Sequence, residues 1–198
     1  HEPLHAAKAL GMDVIVLDHH QAPEELPAID ALVNPNRLDD LSGLGTLCAA
    51  GVTFLALVGL NRALRAAGKS VPDLMPALDL VALASVADVV PLTGLNRAFV
   101  AQGLKFMRLR GRIGLAALAD VARLDQEPEA WHLGFLLGPR INAGGRIGDS
   151  GLGTRLLMSQ NADEAREIAG RLDHLNRERQ AVEEAMLAEA EEEALAKA

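Results

Sequence analysis

The sequence predicts an α/β protein, with a parallel sheet early in the chain, a helical second half and a long C-terminal helix. Three observations predict it. Val14-Ile15-Val16-Leu17 is a run of four apolar residues, three of them β-branched, as expected of a strand buried on both faces in a parallel sheet. Residues 3–10 are rich in Ala, Leu and Lys and read as a helix that Gly11 terminates just before that strand. A helix, a short turn and a buried strand make half of a βαβ unit. From residue 46 onward the apolar spacing is helical almost throughout.

The other elements follow in order. Residues 22–26 read as a loop or a short helical turn. Ala31-Leu32-Val33 reads as a second short strand, closed by Asn34-Pro35-Asn36, and residues 39–45 as a loop. Residues 46–67 form a long apolar helix expected to be buried nearly all round, ending near Gly68. A helix is expected over 72–86 with Pro72 in its first turn, a third over 96–109 and a fourth over 113–124. Lys105, Arg108 and Arg110 lie towards the C-terminal end of the third, where cations suit the helix dipole. Gly and Pro are so frequent in residues 138–148 that neither regular helix nor strand is expected there. From residue 163 the pattern is helical to the end. Ile168, Leu172, Leu175, Val182 and Met186 fall on one stripe of a helix roughly 50 Å long. Such a helix suits a rod to another domain, a coiled-coil arm or a frayed terminus.

Composition narrows the class. Of 198 residues 49% are hydrophobic but only 3% aromatic, with no Tyr, so the core is aliphatic. The single cysteine, Cys48, excludes an internal disulfide and a four-cysteine metal site. There is neither a basic-then-apolar leader nor an apolar run long enough to span a bilayer, which predicts a soluble, cytoplasmic protein. His1-Glu2-Pro3 lacks an initiator Met and the helical pattern runs to Ala198, so the chain is expected to be an internal stretch of something longer. The net charge of −8 argues against a nucleic-acid partner, but its distribution is uneven: −6 over residues 1–96, +3 over 97–149 and −5 over 150–198. The basic middle could hold a phosphate backbone; a mixed-charge surface is the alternative.

Chemistry concentrates at Asp18-His19-His20, at the carboxyl end of the first strand, where open α/β sheets collect their ligands. Imidazoles beside a carboxylate can ligate manganese, zinc or iron, and a His beside a metal can hold a phosphoryl oxygen or donate a proton. A plain surface His-His pair is the alternative. Both rings can serve one site only where the strand is ending, because successive strand residues point to opposite faces. Asp88 sits in an apolar stretch before Pro91 and needs a partner: a metal, an Arg or a helix N-terminus. Arg140 and Arg146, with Asn142 between them, offer planar cations and an amide suited to phosphate, or else a structural turn. Asn176, Arg179 and Gln180 lie around the stripe of the last helix where a nucleic-acid strand could touch.

These residues carry a resemblance. Asp18-His19-His20 after a buried strand resembles the motif that names the DHH phosphoesterase superfamily. Ala87-Asp88-Val89-Val90-Pro91-Leu92, Asn96-Arg97 and Pro139-Arg140-Ile141-Asn142-Ala143 with Arg146 resemble, in the same order, its single-strand-specific DNA exonucleases. One departure is mild: Ala143-Gly144-Gly145-Arg146 stands where Ala-Ala-Gly-Arg is expected. The resemblance implies a partial DHH domain over residues 1–159 and a connecting helix over 160–198. It implies 5′-to-3′ hydrolysis of single-stranded DNA in recombination and repair, by a two-metal mechanism with Mn²⁺ or Mg²⁺. In that scheme His19 and Asp88 bind metal, His20 faces the scissile phosphate and Asp18 orients the site. Arg140, Asn142 and Arg146 line the DNA path. A single-strand-binding protein or a helicase is the implied class of protein partner. Family members carry an Asp-x-Asp motif and a further acid upstream of the position of His1, and a substrate domain after the long helix. The chain alone is therefore expected to hold about half the ligands, to bind metal weakly and to be inactive. The alternatives are a phosphoesterase of short oligonucleotides, cyclic dinucleotides or pyrophosphate, and a non-catalytic nucleic-acid-binding module.

Overall fold

The computed structural model describes residues 2–197. It is mostly helical, with one small parallel sheet, and its chain divides into two compact units, His1–Leu104 and Lys105–Ala198.

In the first unit, helix α1 (Glu2–Ala9) ends at Gly11, whose φ of +78° only glycine adopts freely. Strand β1 (Ile15–Leu17) then pairs in parallel with β2 (Ala31–Val33), Ile15 opposite Ala31 and Leu17 opposite Val33. The Asp30 carboxylate pins the start of the pair by accepting from Lys8 Nζ at 2.7 Å and from the Val14 amide at 2.6 Å. The expectation of a strand buried on both faces is corrected: Ile15 is 67% exposed. Among the described residues the sheet has two strands only, so it shields no strand on both faces.

Helix α2 (Ala49–Ala66) begins three residues later than expected and closes before Gly68, at φ +73°. It is not buried all round. Val52 and Phe54 are buried, Phe54 against the ring of Phe99, while Leu57, Val58 and Leu60 are exposed. Pro72 does not start the next helix. Its carbonyl accepts from Asn61 Nδ2, and the chain turns through a 3₁₀ segment, Met75–Ala77, whose first amide donates to Asp73 Oδ1. The following helix is α3 (Leu78–Ala87). Pro76, with its fixed φ, supplies the helix-starting proline. Helix α4 (Gly94–Arg108) crosses α3 at Gly103, where an added Cβ would lie 2.1 Å from the Leu78 carbonyl oxygen.

The second unit is a bundle of α5 (Ile113–Val121), α6 (Ala130–His132), α7 (Gly138–Ile147), α8 (Leu152–Met158) and α9 (Ala162–Ala196). A π-helical turn, Leu133–Leu137, joins α6 to α7 without a break. The glycine-rich segment is thus a helix, which corrects the expectation of an irregular loop. Pro139 fits its first turn, and its small residues are selected by packing: a Cβ on Gly144 would approach Leu172 Cδ2 to 3.0 Å. Tertiary contact here outweighs the roughly 1 kcal/mol that each helical glycine costs. Gly114 of α5 is tighter still, because an added Cβ would lie 1.9 Å from the Leu156 carbonyl oxygen. Neither backbone can retreat without parting α5 from α8. Gly114→Ala is expected to lower stability by about 3 kcal/mol, read as a lower urea midpoint at unchanged slope.

Helix α9 starts at Asn161, whose Oδ1 accepts from the amides of Asp163 and Glu164, a cap worth about 1 kcal/mol. Ala165, Ile168, Ala169, Leu172 and Leu175 are buried against α5, α7 and α8. The expected stripe does not continue as core. Val182 and Met186 keep its phase but are exposed. No helix among the described residues is long and apolar enough to cross a membrane.

Candidate active site

The end of β1 builds the site. The Asp18 amide donates to the Val33 carbonyl, the last ladder bond before the strand gives way to a turn. Asp18 Oδ1 closes that turn, accepting from the His19 amide at 2.8 Å and the His20 amide at 3.3 Å. Because pleating has stopped, the two imidazoles lie on the same side, ring centroids 4.5 Å apart. Asp18 Oδ1 also lies 2.7 Å from His20 Nδ1. With Nδ1–H donated to the carboxylate, Nε2 is the ring atom left to act, and the imidazole is largely exposed. Partial burial raises the Asp18 pKa, but hydrogen bonds from the His20 ring and both amides outweigh it and hold the carboxyl below its ordinary value.

Asp88 reaches the same place from the C-terminus of α3, its Oδ2 3.6 Å from His19 Nδ1. That spacing lets an imidazole and a carboxylate both contact one divalent cation at about 2.0–2.2 Å. It is two ligands and no more: among the described residues no group of three or more His, Cys, Asp or Glu is poised to hold a metal. The residue after Asp88 is strained. Val89 has φ +56°, a left-handed conformation that a β-branched residue adopts at a cost of about 1–2 kcal/mol. Its side chain is exposed, so packing gives little in return. Val89→Gly is expected to raise stability by about 1 kcal/mol, visible as a higher melting temperature.

Two residues that sequence reading missed hold the histidine turn from below. Asn34 Nδ2 donates to the His20 carbonyl at 2.8 Å. Asn36 Nδ2 donates to the His19 carbonyl at 2.6 Å and to that of Gly45 at 3.0 Å. The only signal was Asn-Pro-Asn at the end of β2, which reads as a plain turn. Asn96 is also buried, tying the Thr46 and Pro91 carbonyls together.

The six residues suggested for nucleic acid lie in the second unit and divide into two groups. Arg140 is largely interior: Nε donates to Asp173 Oδ1 at 2.9 Å and Nη1 to the Leu136 carbonyl at 2.7 Å. Asn176 is buried and accepts from Arg179, which also pairs with Glu183. Asn142, Arg146 and Gln180 are exposed.

The first 85 residues match the model of the DHH family N-terminal domain. The whole chain is similar to the single-stranded-DNA-specific exonuclease RecJ of Escherichia coli (strain K12), with 42% identity covering 96% of this chain and 34% of that protein. A RecJ exonuclease crystallised with manganese superposes with a TM-score of 0.82 at 36% identity, covering 96% of this chain and 46% of that one. The RecJ of Thermus thermophilus in complex with Mn²⁺ superposes with a TM-score of 0.83 at 35% identity, covering 96% and 28%. The chain therefore spans about a third of the length of the curated relatives it matches. Its mostly helical architecture and small parallel sheet match those RecJ structures. The matched segment includes Asp18-His19-His20.

Proposed function

We propose that this chain carries part of the catalytic centre of a metal-dependent, single-strand-specific 5′-to-3′ DNA exonuclease acting in recombination and repair. The observation that carries the reading is the convergence of Asp18, His19, His20 and Asp88 at the end of one strand. His19 and Asp88 would hold Mn²⁺ or Mg²⁺. A divalent cation bound there supplies Lewis-acid polarisation of a phosphoryl oxygen and a water of lowered pKa. His20, oriented by Asp18, presents Nε2 to the phosphate and stabilises charge that develops on it. Asn34 and Asn36 keep the turn rigid while it does so. Two protein ligands bind a cation weakly, so the chain is inactive unless further acidic groups complete the set. The reading places the enzyme in the cytoplasm, with a single-strand-binding protein or a helicase as its class of protein partner.

The test is Mn²⁺-dependent release of nucleotides from 5′-labelled DNA. It is run on the 198-residue chain and on a hybrid in which this chain replaces the matching third of the E. coli exonuclease. The hybrid is expected to degrade single strands, spare duplex and lose activity with a chelator, while the chain alone does nothing. Preference for dinucleotides, cyclic dinucleotides or pyrophosphate would move the assignment to another phosphoesterase. A metal-independent hybrid would overturn it.

A further inference from the structure

The chain holds one Trp and four Phe, so where they sit is informative. Phe54 and Phe99 pack edge to face in the core, and Phe106 is half-buried. The other two are exposed, Trp131 by 48% and Phe135 by 77%, four residues apart along one continuous helical run. That run continues through α7, and Asn142 and Arg146 lie seven and eleven residues beyond Phe135, close to whole turns. All four side chains share one exposed face, and neither Asn142 nor Arg146 is tied to a partner among the described residues.

The aromatic end is pre-set. His132 is buried, its ring held by the Glu129 amide and by Gln126. The Trp131 ring lies against that imidazole at 3.8 Å, and its Nε1–H donates to Glu129 at 3.1 Å. Beside it is the π-turn, a feature that recurs at functional sites. We propose that Trp131 and Phe135 are a stacking platform for the bases of a single-stranded oligonucleotide, whose backbone passes Asn142 and Arg146 on the same face. Stacking tolerates any sequence because every base has a π-face, and Arg146 supplies the charge that a phosphate backbone needs. The net +3 of residues 97–149 in a chain of −8 agrees with that occupant. The inference rests on the nuclease reading and adds to it where the bases are held.

Trp131 is the sole tryptophan and there is no tyrosine, so emission reports this site alone. The chain is titrated with fluorophore-labelled oligothymidylate, or with an abasic oligomer of the same length, while label anisotropy and Trp131 emission are followed. Oligothymidylate is expected to quench Trp131 saturably, and the abasic oligomer to leave it bright. Phe135→Ala and the size-retaining Phe135→Leu should each weaken binding about tenfold. Phe135 is exposed, so neither should unfold the chain, and circular dichroism checks this. Arg146→Ala should lower the slope of affinity against salt by about one. If the DNA binds in an Arg146-dependent manner but Trp131 stays bright and Phe135→Leu binds like the native chain, the platform is refuted and the nuclease reading stands. If no labelled strand binds at all, the platform is refuted, and the nuclease reading is judged by the hybrid enzyme. Blue-shifted emission on self-association, without DNA, would give the face to a protein contact instead and also refute the platform.

Discussion

Asp173→Ala is expected to destabilise the second unit by about 3–5 kcal/mol. The Asp173 side chain is 5% exposed and serves two arginines. Arg140, 15% exposed, gives it Nε; Arg177, on the solvent side, pairs with its other oxygen. Removing the carboxylate leaves the Arg140 guanidinium inside the protein with the Leu136 carbonyl as its remaining recorded partner. An uncompensated buried charge costs several kcal/mol, far more than the attraction lost at an exposed pair. Arg177→Ala is the control, since the exposed arm of the network should change stability by about 1 kcal/mol or less. Urea unfolding of both variants reads the difference. If Asp173→Ala costs no more than Arg177→Ala, Arg140 swings out to water and is not an interior residue. Arg140→Ala is likewise expected to loosen α7 from α9, so weaker DNA binding in that variant would not by itself place Arg140 on the strand.

His20→Ala in the hybrid enzyme is expected to slow strand cleavage by about 10²–10⁴-fold, the range for a group that handles charge or protons in the transition state. The triplet fold should survive, because the contacts that shape the turn run through the Asp18 carboxylate and the His19 and His20 backbones. Asp18→Asn should also slow cleavage, because an amide NH₂ facing Nδ1 favours the opposite tautomer. The pH profile adds a check. The folded Asp18 pKa is depressed, so its contribution is complete above the ordinary carboxylate range and is lost as pH falls through the lower, folded value. An acid limb of activity near neutrality therefore belongs to a group other than Asp18. A His20→Ala hybrid that cleaves at the native rate would remove His20 from the chemistry.

Local signals were legible in the sequence, and contacts between distant residues were not. Gly11 and Gly68 mark helix ends because left-handed φ values are a property of the residue itself. The triplet at a strand end was readable because β1 is apolar up to Leu17 and polar immediately after. The clamp from Asn34 and Asn36 was not, since it joins groups 14 and 17 residues apart through side chain and carbonyl, which leaves no periodicity. Residues 138–148 misled because glycine lowers helix propensity, whereas the need for small residues against Leu172 is visible only in the packed structure. The pairing of Arg140 was hidden as well: nothing local announces Asp173, 33 residues on. The stripe on α9 gave the right face, but periodicity cannot tell how far along that face a neighbour extends.

That last feature gives α9 a mechanical character. At 35 residues it is about 52 Å long, and among the described residues its buried side chains lie in its first half. It is a cantilever, rooted where Leu172 meets Gly144 and Leu175 meets Gly148. A sideways load near Leu195 would act through a long arm on that short root, and α5, α7 and α8 would share its torque. Contact at the outer end of the rod would thus be felt by three helices at once, with α7, which carries Asn142 and Arg146, among them.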